Sequence, residues 1–504
     1  MKIFSVDQIR EADKFTIKNE PITSIALMER AALACYEWIQ KSTNLSSEVI
    51  VFCGNGNNGA DGLAIARILK EEGQVVKVVV LNHSDRRSDN FNINYARIKD
   101  RIEIAEINTI DDLKLVKFDN ENTNVIVDAI LGSGINKPTA GLLADCIKYI
   151  NNLPCEKISI DLPSGLFCDG LNSKNDPILN ADYTLSFQFP KLSFMFSENE
   201  KFVGKFTILD IELSQEFISN TKANYYLLTK EDVRAILKKR NSLAHKGNFG
   251  HALIVSGSKG KMGAAVLSSK ACIRSGTGLV TVRVPACGYQ IIQITNPEAM
   301  ADVDSSADFI TDNIQLENYN AIGVGPGIGM DKQTQNVLKL LIQNSVVPIV
   351  FDADAINILA ENKTWLSFIP PDCIFTPHIK EFERLVGKVS GSDERLLQQI
   401  EFSRKYRAYV VLKGAHTSIS SPSGEVFFNS TGNPGMATGG SGDVLTGVIT
   451  SLIAQKYSSL QACLLGVYLH GLAGDFASTK KTQETMVASD IIMGLSDAIK
   501  FIRA

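Results

Sequence analysis

The 504-residue chain has little of what marks the specialised protein classes. Its nine cysteines are odd in number, include no C-x-x-C pair and are scattered from Cys35 to Cys463. That excludes a disulfide scaffold and fits buried small apolar residues in a reducing cytoplasm. No run of about 18 apolar residues occurs. Even VPIVFDADAINILA is interrupted by Asp352 and Asp354, so no membrane partner is expected. The opening stretch MKIFSVDQIREAD has no apolar core or small-residue cleavage site, and no export signal is expected from it. The 51 Lys and Arg against 55 Asp and Glu give a net charge of −4 without a basic stripe, which argues against a nucleic-acid partner. The phosphate-binding pattern G-x-x-x-x-G-K-[ST] is absent.

What is present is enough apolar sequence, 44% of residues, to build large cores. At about 100 to 200 residues per domain, two or three domains are expected. Glycine is unevenly placed: windows 54 to 62, 323 to 329 and 432 to 447 hold four, four and six of the 37. Such clusters bring backbone close to something.

From Val49 the strand-like runs VIVFC, VVKVVVL, NVIVDAI and KISID alternate with helical patterns, the rhythm of a doubly wound α/β sheet. Residues Val6 to Gln40 read as helical before it. The polar, aperiodic SQEFISNTKAN places a boundary near residue 220, giving domains 1–220 and 221–504. A second α/β series runs through HALIVSG, GLVTVRV, NAIGVG, VPIVFDAD, DCIFTP and YVVLKG, with a hairpin expected over Thr417 to Asn429.

Gly54, Gly56 and Gly59 satisfy G-x-G-x-x-G between a strand and a helix. A dehydrogenase also needs an acid ending the next strand, but that strand ends in Asn82-His83-Ser84. Asn57, Asn58 and Asp61 sit either in a capped turn or against a ligand or cation. Asp128 and Asp161 end strands, where they cap the next turn or converge with Asp61 on one crevice. In the second series, Thr438-Gly439-Gly440-Ser441-Gly442-Asp443 opens a helix, so free amides there form an anion hole and Asp443 stands as a base or an N-cap. Lys413 reads as a strand-end cation or a solvated edge residue, and His378 and His245 as helix-start residues or ligands. Asp352 and Asp354 read as N-caps, with Asp352 alternatively organising magnesium.

Taken in order, LMERAA, CGNGNNGADGLAIAR, VDAILGSG and SIDLPSG resemble the epimerase domain of the NAD(P)H-hydrate repair system. HKGNFG, VSGSKGKMGAA, GPGIG, FDADAIN, TPHIKEF, LKGAHT and MATGGSGDVLTG resemble its ribokinase-like dehydratase domain. The resemblance implies two three-layer αβα domains, Rossmann-like then ribokinase-like. In the first, it implies that Asn57, Asn58, Gly59, Ala60 and Asp61, together with Gly132, Ser133, Gly134, Ile135, Asn136, Lys137 and Pro138, contact the hydrated nucleotide. Asn58, Asp128 and Ser164 would ligate potassium, with Asp161 as acid or base. In the second, it implies that Lys413, Gly414, Ala415, His416, Thr417 and Gly442 hold ADP, accompanied by magnesium. Ala264, Gly327, His378 and Asp443 would lie against the hydrate, with Asp443 as base. Hydrated NADH and NADPH would be the substrates of a homo-oligomer. A true ribokinase-type kinase, its first domain a binding module, is the alternative. Two departures stand out: Ala60 replaces a usual glycine, and the family's D-I-G-I-P reads Asp210-Ile211-Glu212-Leu213-Ser214.

Overall fold

The computed structural model describes residues 1–43, 48–116 and 123–504. They form two compact units, Lys2–Ala223 and Asn224–Ala504.

In the first unit the region expected to be helical from Val6 to Gln40 is two helices, α1 (Val6–Asn19) and α2 (Ser24–Ser42). Pro21 cannot continue the first, and Thr23 caps the second by accepting from the Ala26 amide. The strands are β1 (Glu48–Cys53), β2 (Val76–Leu81), β3 (Glu103–Ile107), β4 (Thr123–Ala129), β5 (Glu156–Ile160), β6 (Tyr183–Phe187) and β7 (Lys205–Leu209), and α3 (Asn57–Glu71) follows β1. They lie in the order β3-β2-β1-β4-β5-β6-β7, all parallel. The order reverses between β1 and β4, which opens a crevice at their carboxyl ends. Val49, Val51 and Cys53 of β1 enter one core, and Ile50 and Phe52 enter the other. Both faces are thus covered, giving three layers. The aperiodic stretch after Leu213 holds a six-residue helix, Gln215–Asn220, capped by Ser214 and too short to show a period.

The second unit uses β8 (Tyr225–Leu227), β9 (His251–Val255), α4 (Met262–Arg274), β10 (Leu279–Val284), β11 (Met300–Val303), β12 (Ala321–Val324), β13 (Ile349–Phe351), α5 (Ala353–Glu361), β14 (Ile374–Phe375), α6 (Ile379–Val386), β15 (Tyr409–Leu412), β16 (Ser418–Ser420) and β17 (Val426–Phe428). The helices α7 (Ser441–Ala454), α8 (Ser459–Lys480) and α9 (Ala488–Arg503) close it. The order is β8-β17-β16-β15-β14-β13-β12-β9-β10-β11. β15, β16 and β17 pair antiparallel, which includes the expected hairpin, and the other neighbours are parallel. Ala252 and Ile254 face one core and Leu253 and Val255 the other, again three layers. Among the described residues no helix is long and apolar enough to cross a membrane.

Candidate active sites

The first glycine cluster is a packing device. A Cβ on Gly59 would overlap the Gly54 carbonyl oxygen, and one on Gly54 would overlap that of Ile130. Bare backbone at both places lets α3 start at the switch point between β1 and β4. Gly56 is the N-cap and makes no side-chain cap, so the first turn of α3, Asn57 to Asp61, opens onto the crevice. Ala60 sits in that helix without positive φ, so the usual glycine is not needed there. Glu212, where the family places glycine, does adopt the left-handed region at φ 59°.

Asp128, fully buried at the end of β4, accepts from the Ser159 and Ser164 hydroxyls at 2.8 and 2.5 Å and from the Ser164 and Ile130 amides at 2.9 and 3.2 Å. Turn-capping is therefore real. Burial nevertheless pushes its carboxyl up, against those hydrogen bonds. Among the described residues no cationic side chain pairs with it. The Ser164 hydroxyl also accepts from the Leu131 amide at 2.9 Å. Next in sequence, Gly132 lies against Asn58, whose buried Nδ2 has no partner. Among the described residues no three His, Cys, Asp or Glu could hold a metal. A carboxylate without a counter-charge, beside hydroxyl, amide and main-chain oxygens, nonetheless fits a large monovalent cation. Gly134 and Asn136 to Pro138 form an exposed rim, with Ser133 and Ile135 half-buried.

Asp161 directly follows β5 in the left-handed region at φ 64°, a strained setting for a residue with a side chain. The buried Lys191 ammonium holds its carboxylate at 2.8 Å. Asp13 on α1 and Asp61 on α3 share this field. Burial, then Asp161, raises Asp13 to about 6, with Lys191 opposing. Burial, Asp161 and Asp13 push Asp61 well up. Asp13 and Lys191 were missed from sequence. Lys191 lies four residues past the end of β6, beyond the strand-end position that singled out Asp161, and Asp13 had no such signal either.

In the second unit several expectations change. Gly440, at φ 91°, is the N-cap of α7, and Asp443 lies one turn in without capping anything. The Gly442 and Asp443 amides, which by position lack intrahelical acceptors, are uncapped by any side chain. Asp352 stands at the N-cap position of α5 but makes no capping bond. Its buried carboxylate instead accepts from the Lys413 ammonium at 2.9 Å and the Thr446 hydroxyl at 2.8 Å. Lys413 is thus an ion-pair partner on an inner strand, not a solvated edge residue. Burial disfavours its charge, but Asp352 and Glu381 outweigh that and raise it. Asp354 accepts from the Gly329 amide at 2.9 Å and faces Lys261 at 3.6 Å. A Cβ on Gly442 would sit 3.1 Å from the Lys413 ammonium, so the helix end and the cation are adjacent.

Burial, then Asp352 and Asp354, push Asp443 up to about 7, while Lys413 pulls it down. His470 of α8 bonds the Ser441 carbonyl at 3.0 Å through Nε2, and burial lowers it to about 4, so the neutral ring donates and pins the helix start. Gly327, at φ 67°, packs against Ala264. His378 bridges in parallel to Lys413, and its Nδ1 caps α6 by accepting from the Glu381 amide at 3.2 Å. His245 likewise caps a short turn through the Gly247 amide. Gly414 and Ala415 are exposed, and the Thr417 hydroxyl donates to the Gly414 carbonyl at 3.1 Å. His416 is half-buried in that turn. Thr446 and His470 had no distinguishing sequence signal.

Each unit therefore carries an acid-bearing crevice at the carboxyl ends of a parallel sheet. The second joins a helix start without a side-chain cap to a carboxyl raised to about 7, groups that suit phosphoryl transfer, and the chain is a two-centre α/β enzyme. Residues 252–496 match the family described as NAD(P)H-hydrate dehydratase, and 24–193 match the YjeF-related protein N-terminus. A bifunctional NAD(P)H-hydrate repair enzyme of Moorella thermoacetica is 35% identical, covering 98% of this chain and 95% of that one. That of Escherichia coli is 28% identical, covering 98% and 93%. The crystal structure of an ADP/ATP-dependent NAD(P)H-hydrate dehydratase from Bacillus subtilis, co-crystallised with ATP and Mg2+, superposes with a TM-score of 0.50 at 29% identity. It covers 56% of this chain and all of its own. The chain belongs to the family of bifunctional NAD(P)H-hydrate repair enzymes.

Proposed function

We propose that the first unit interconverts the R and S epimers of hydrated NADH and NADPH, and that the second dehydrates the S epimer with ADP, giving NAD(P)H, AMP and phosphate. The observation that carries this reading is Asp443: a carboxyl tuned to about 7, beside uncapped amides and the Lys413–Asp352 pair. Asp443 takes the proton of the carbon-6 hydroxyl, whose oxygen attacks the terminal phosphorus of ADP. The phosphorus–oxygen bond to AMP breaks while the Gly442 and Asp443 amides hold the transferring group's charge. The nitrogen lone pair then expels phosphate from carbon 6, and loss of a carbon-5 proton restores the dihydronicotinamide. Lys413 to Thr417 would cradle the nucleotide, with Ala264, Gly327 and His378 lining the hydrate. Magnesium bound with ADP would screen the phosphate charge.

In the first unit Asp161 handles the proton of the same hydroxyl, and the turn at Asn57 to Asp61 with the rim at Gly132 to Pro138 holds the nucleotide. Potassium would sit among Asn58, Asp128 and Ser164 and supply fixed positive charge beside the substrate. The test is to give the full chain a mixture of epimers with ADP and magnesium. Both epimers should be consumed and reduced-nicotinamide absorbance regained. Asp161→Asn should leave the R epimer to its uncatalysed rate and spare the S epimer, and Asp443→Asn should stop dehydration. A stable phosphorylated alcohol as product would replace this reading with a kinase.

A further inference from the structure

The helix α1 lies outside the matched segment, which begins at residue 24, yet it is built into the first crevice. Its first amide, Val6, donates to Asp169 at 3.1 Å on the loop beyond Asp161. Phe4 stacks edge-on against Phe189 at 4.8 Å, two residues before Lys191. Arg10 reaches the other wall, its Nη2 lying 3.3 Å from where a Cβ on Gly134 would stand. Asp13 follows Arg10 by three residues and so shares its face. Among the described residues the Asp13 carboxyl has neither an ion pair nor a hydrogen bond, although it is half-buried. Asp161, by contrast, has the Lys191 ammonium as counter-charge.

We propose that Asp13 is a second catalytic residue of the epimerase centre, the general acid that protonates the departing carbon-6 hydroxyl, with Asp161 the base that receives the proton of the returning water. This rests on the epimerase reading above. The carbon-6 to oxygen bond breaks with its electron pair on oxygen, the Asp13 proton converts that oxygen to water, and the ring nitrogen lone pair forms the carbon–nitrogen double bond of an iminium. Water then adds to the opposite face, the new carbon–oxygen bond takes its electron pair from the water, and the released proton goes to Asp161. Solvent returns one proton to Asp13 and removes one from Asp161. Two carboxyls in contrasting environments, one paired with an ammonium and one unpaired, suit an acid and a base at one pH. The charged groups acting on Asp13 are Asp161 and Lys191, and Asp13 acts in turn on Asp61; its value of about 6 keeps a usable protonated fraction near neutrality.

The experiment follows conversion of purified R epimer to S by the full chain, without ADP, across a pH series and corrected for the uncatalysed rate. The wild-type rate should fall as pH rises through about 6, where Asp13 loses its proton. Asp13→Asn should lower kcat by about 100-fold or more and abolish that alkaline limb, and Asp13→Glu should restore part of both. ADP-dependent dehydration of the S epimer should stay unchanged in each. An Asp13→Asn enzyme with wild-type kcat, or with a low kcat but an unmoved alkaline limb, overturns the proposal. A wild-type chain that converts no R epimer overturns the epimerase reading itself, so the two failures are distinct.

Discussion

The titration of Asp443 gives the sharpest test of the second centre. A base works only when deprotonated, so kcat/KM for the S epimer at saturating ADP should rise with pH through about 7. A single group at that value is about 9% deprotonated one pH unit below and about 91% one unit above, so the rise is about tenfold. The neighbours set the midpoint in opposite senses. Asp352 disfavours the charged carboxylate and Lys413 favours it. They are bonded to each other, so removing either charge leaves the other's field uncompensated. Asp352→Asn keeps acceptor and donor atoms toward Lys413 and Thr446 and should move the acid limb down. Lys413→Gln should move it up, each by on the order of one pH unit or less. The assay is initial-rate formation of reduced nicotinamide from purified S epimer, with nucleotide saturation verified for each variant. An acid limb that stays put in both variants, or moves the same way in both, refutes the assignment of Asp443 as the titrating base.

Three further predictions concern the first unit. Glu212→Gly should stabilise it by about 0.5 to 1 kcal/mol, because φ 59° strains a residue with a Cβ and the Arg30 contact at 3.9 Å is mostly exposed; scanning calorimetry should show a Tm about 2 °C higher, and no gain would remove the strain argument. Gly59→Ala should lose several kcal/mol, on the order of 3, since its methyl group would meet the Gly54 carbonyl within rigid backbone; urea unfolding of the first unit reads it, and a loss below about 0.5 kcal/mol would mean that the turn yields freely. Potassium at about 100 times its dissociation constant should stabilise the unit by about 2.7 kcal/mol against choline at equal ionic strength, and Asp128→Asn should erase that difference. A potassium-dependent Tm surviving in Asp128→Asn would place the ion elsewhere.

The layering was legible because β1 and β9 are apolar on both faces, which only a covered sheet explains. Strand-end acids were legible for the same reason: once the rhythm is read, Asp128, Asp161 and Asp352 fall at carboxyl ends. Their partners were not. The pairing of Asp352 with Lys413 and Thr446 joins residues 61 and 94 positions apart, and nothing local distinguishes such a carboxylate from a helix cap. The glycine spacing at 54 to 59 was a partial lead toward a nicotinamide nucleotide: Gly54 and Gly59 also serve close packing, against the Ile130 and Gly54 carbonyls, while a Cβ on Gly56 would meet nothing. Asp13 was hidden on an ordinary amphipathic helix whose ends, not its sequence, bring it to the crevice.

The pairing of Lys191 with Asp161 has a consequence for how this chain decays under mutation. An ammonium sealed in the interior, whose other acceptors among the described residues are the Phe187 and Phe189 carbonyls, depends on the Asp161 carboxylate for its charge balance. Replacing that carboxylate with an apolar side chain leaves the ammonium stranded at a penalty of about 3 to 5 kcal/mol, a large share of what holds a domain together. A lineage that dropped the first activity by placing an apolar side chain at this position would therefore shed the protein with it, whereas Asp161→Asn keeps an acceptor oxygen toward the ammonium. In a cell such a lesion registers as lowered abundance, and a quiet, folded, half-working chain has little chance to accumulate.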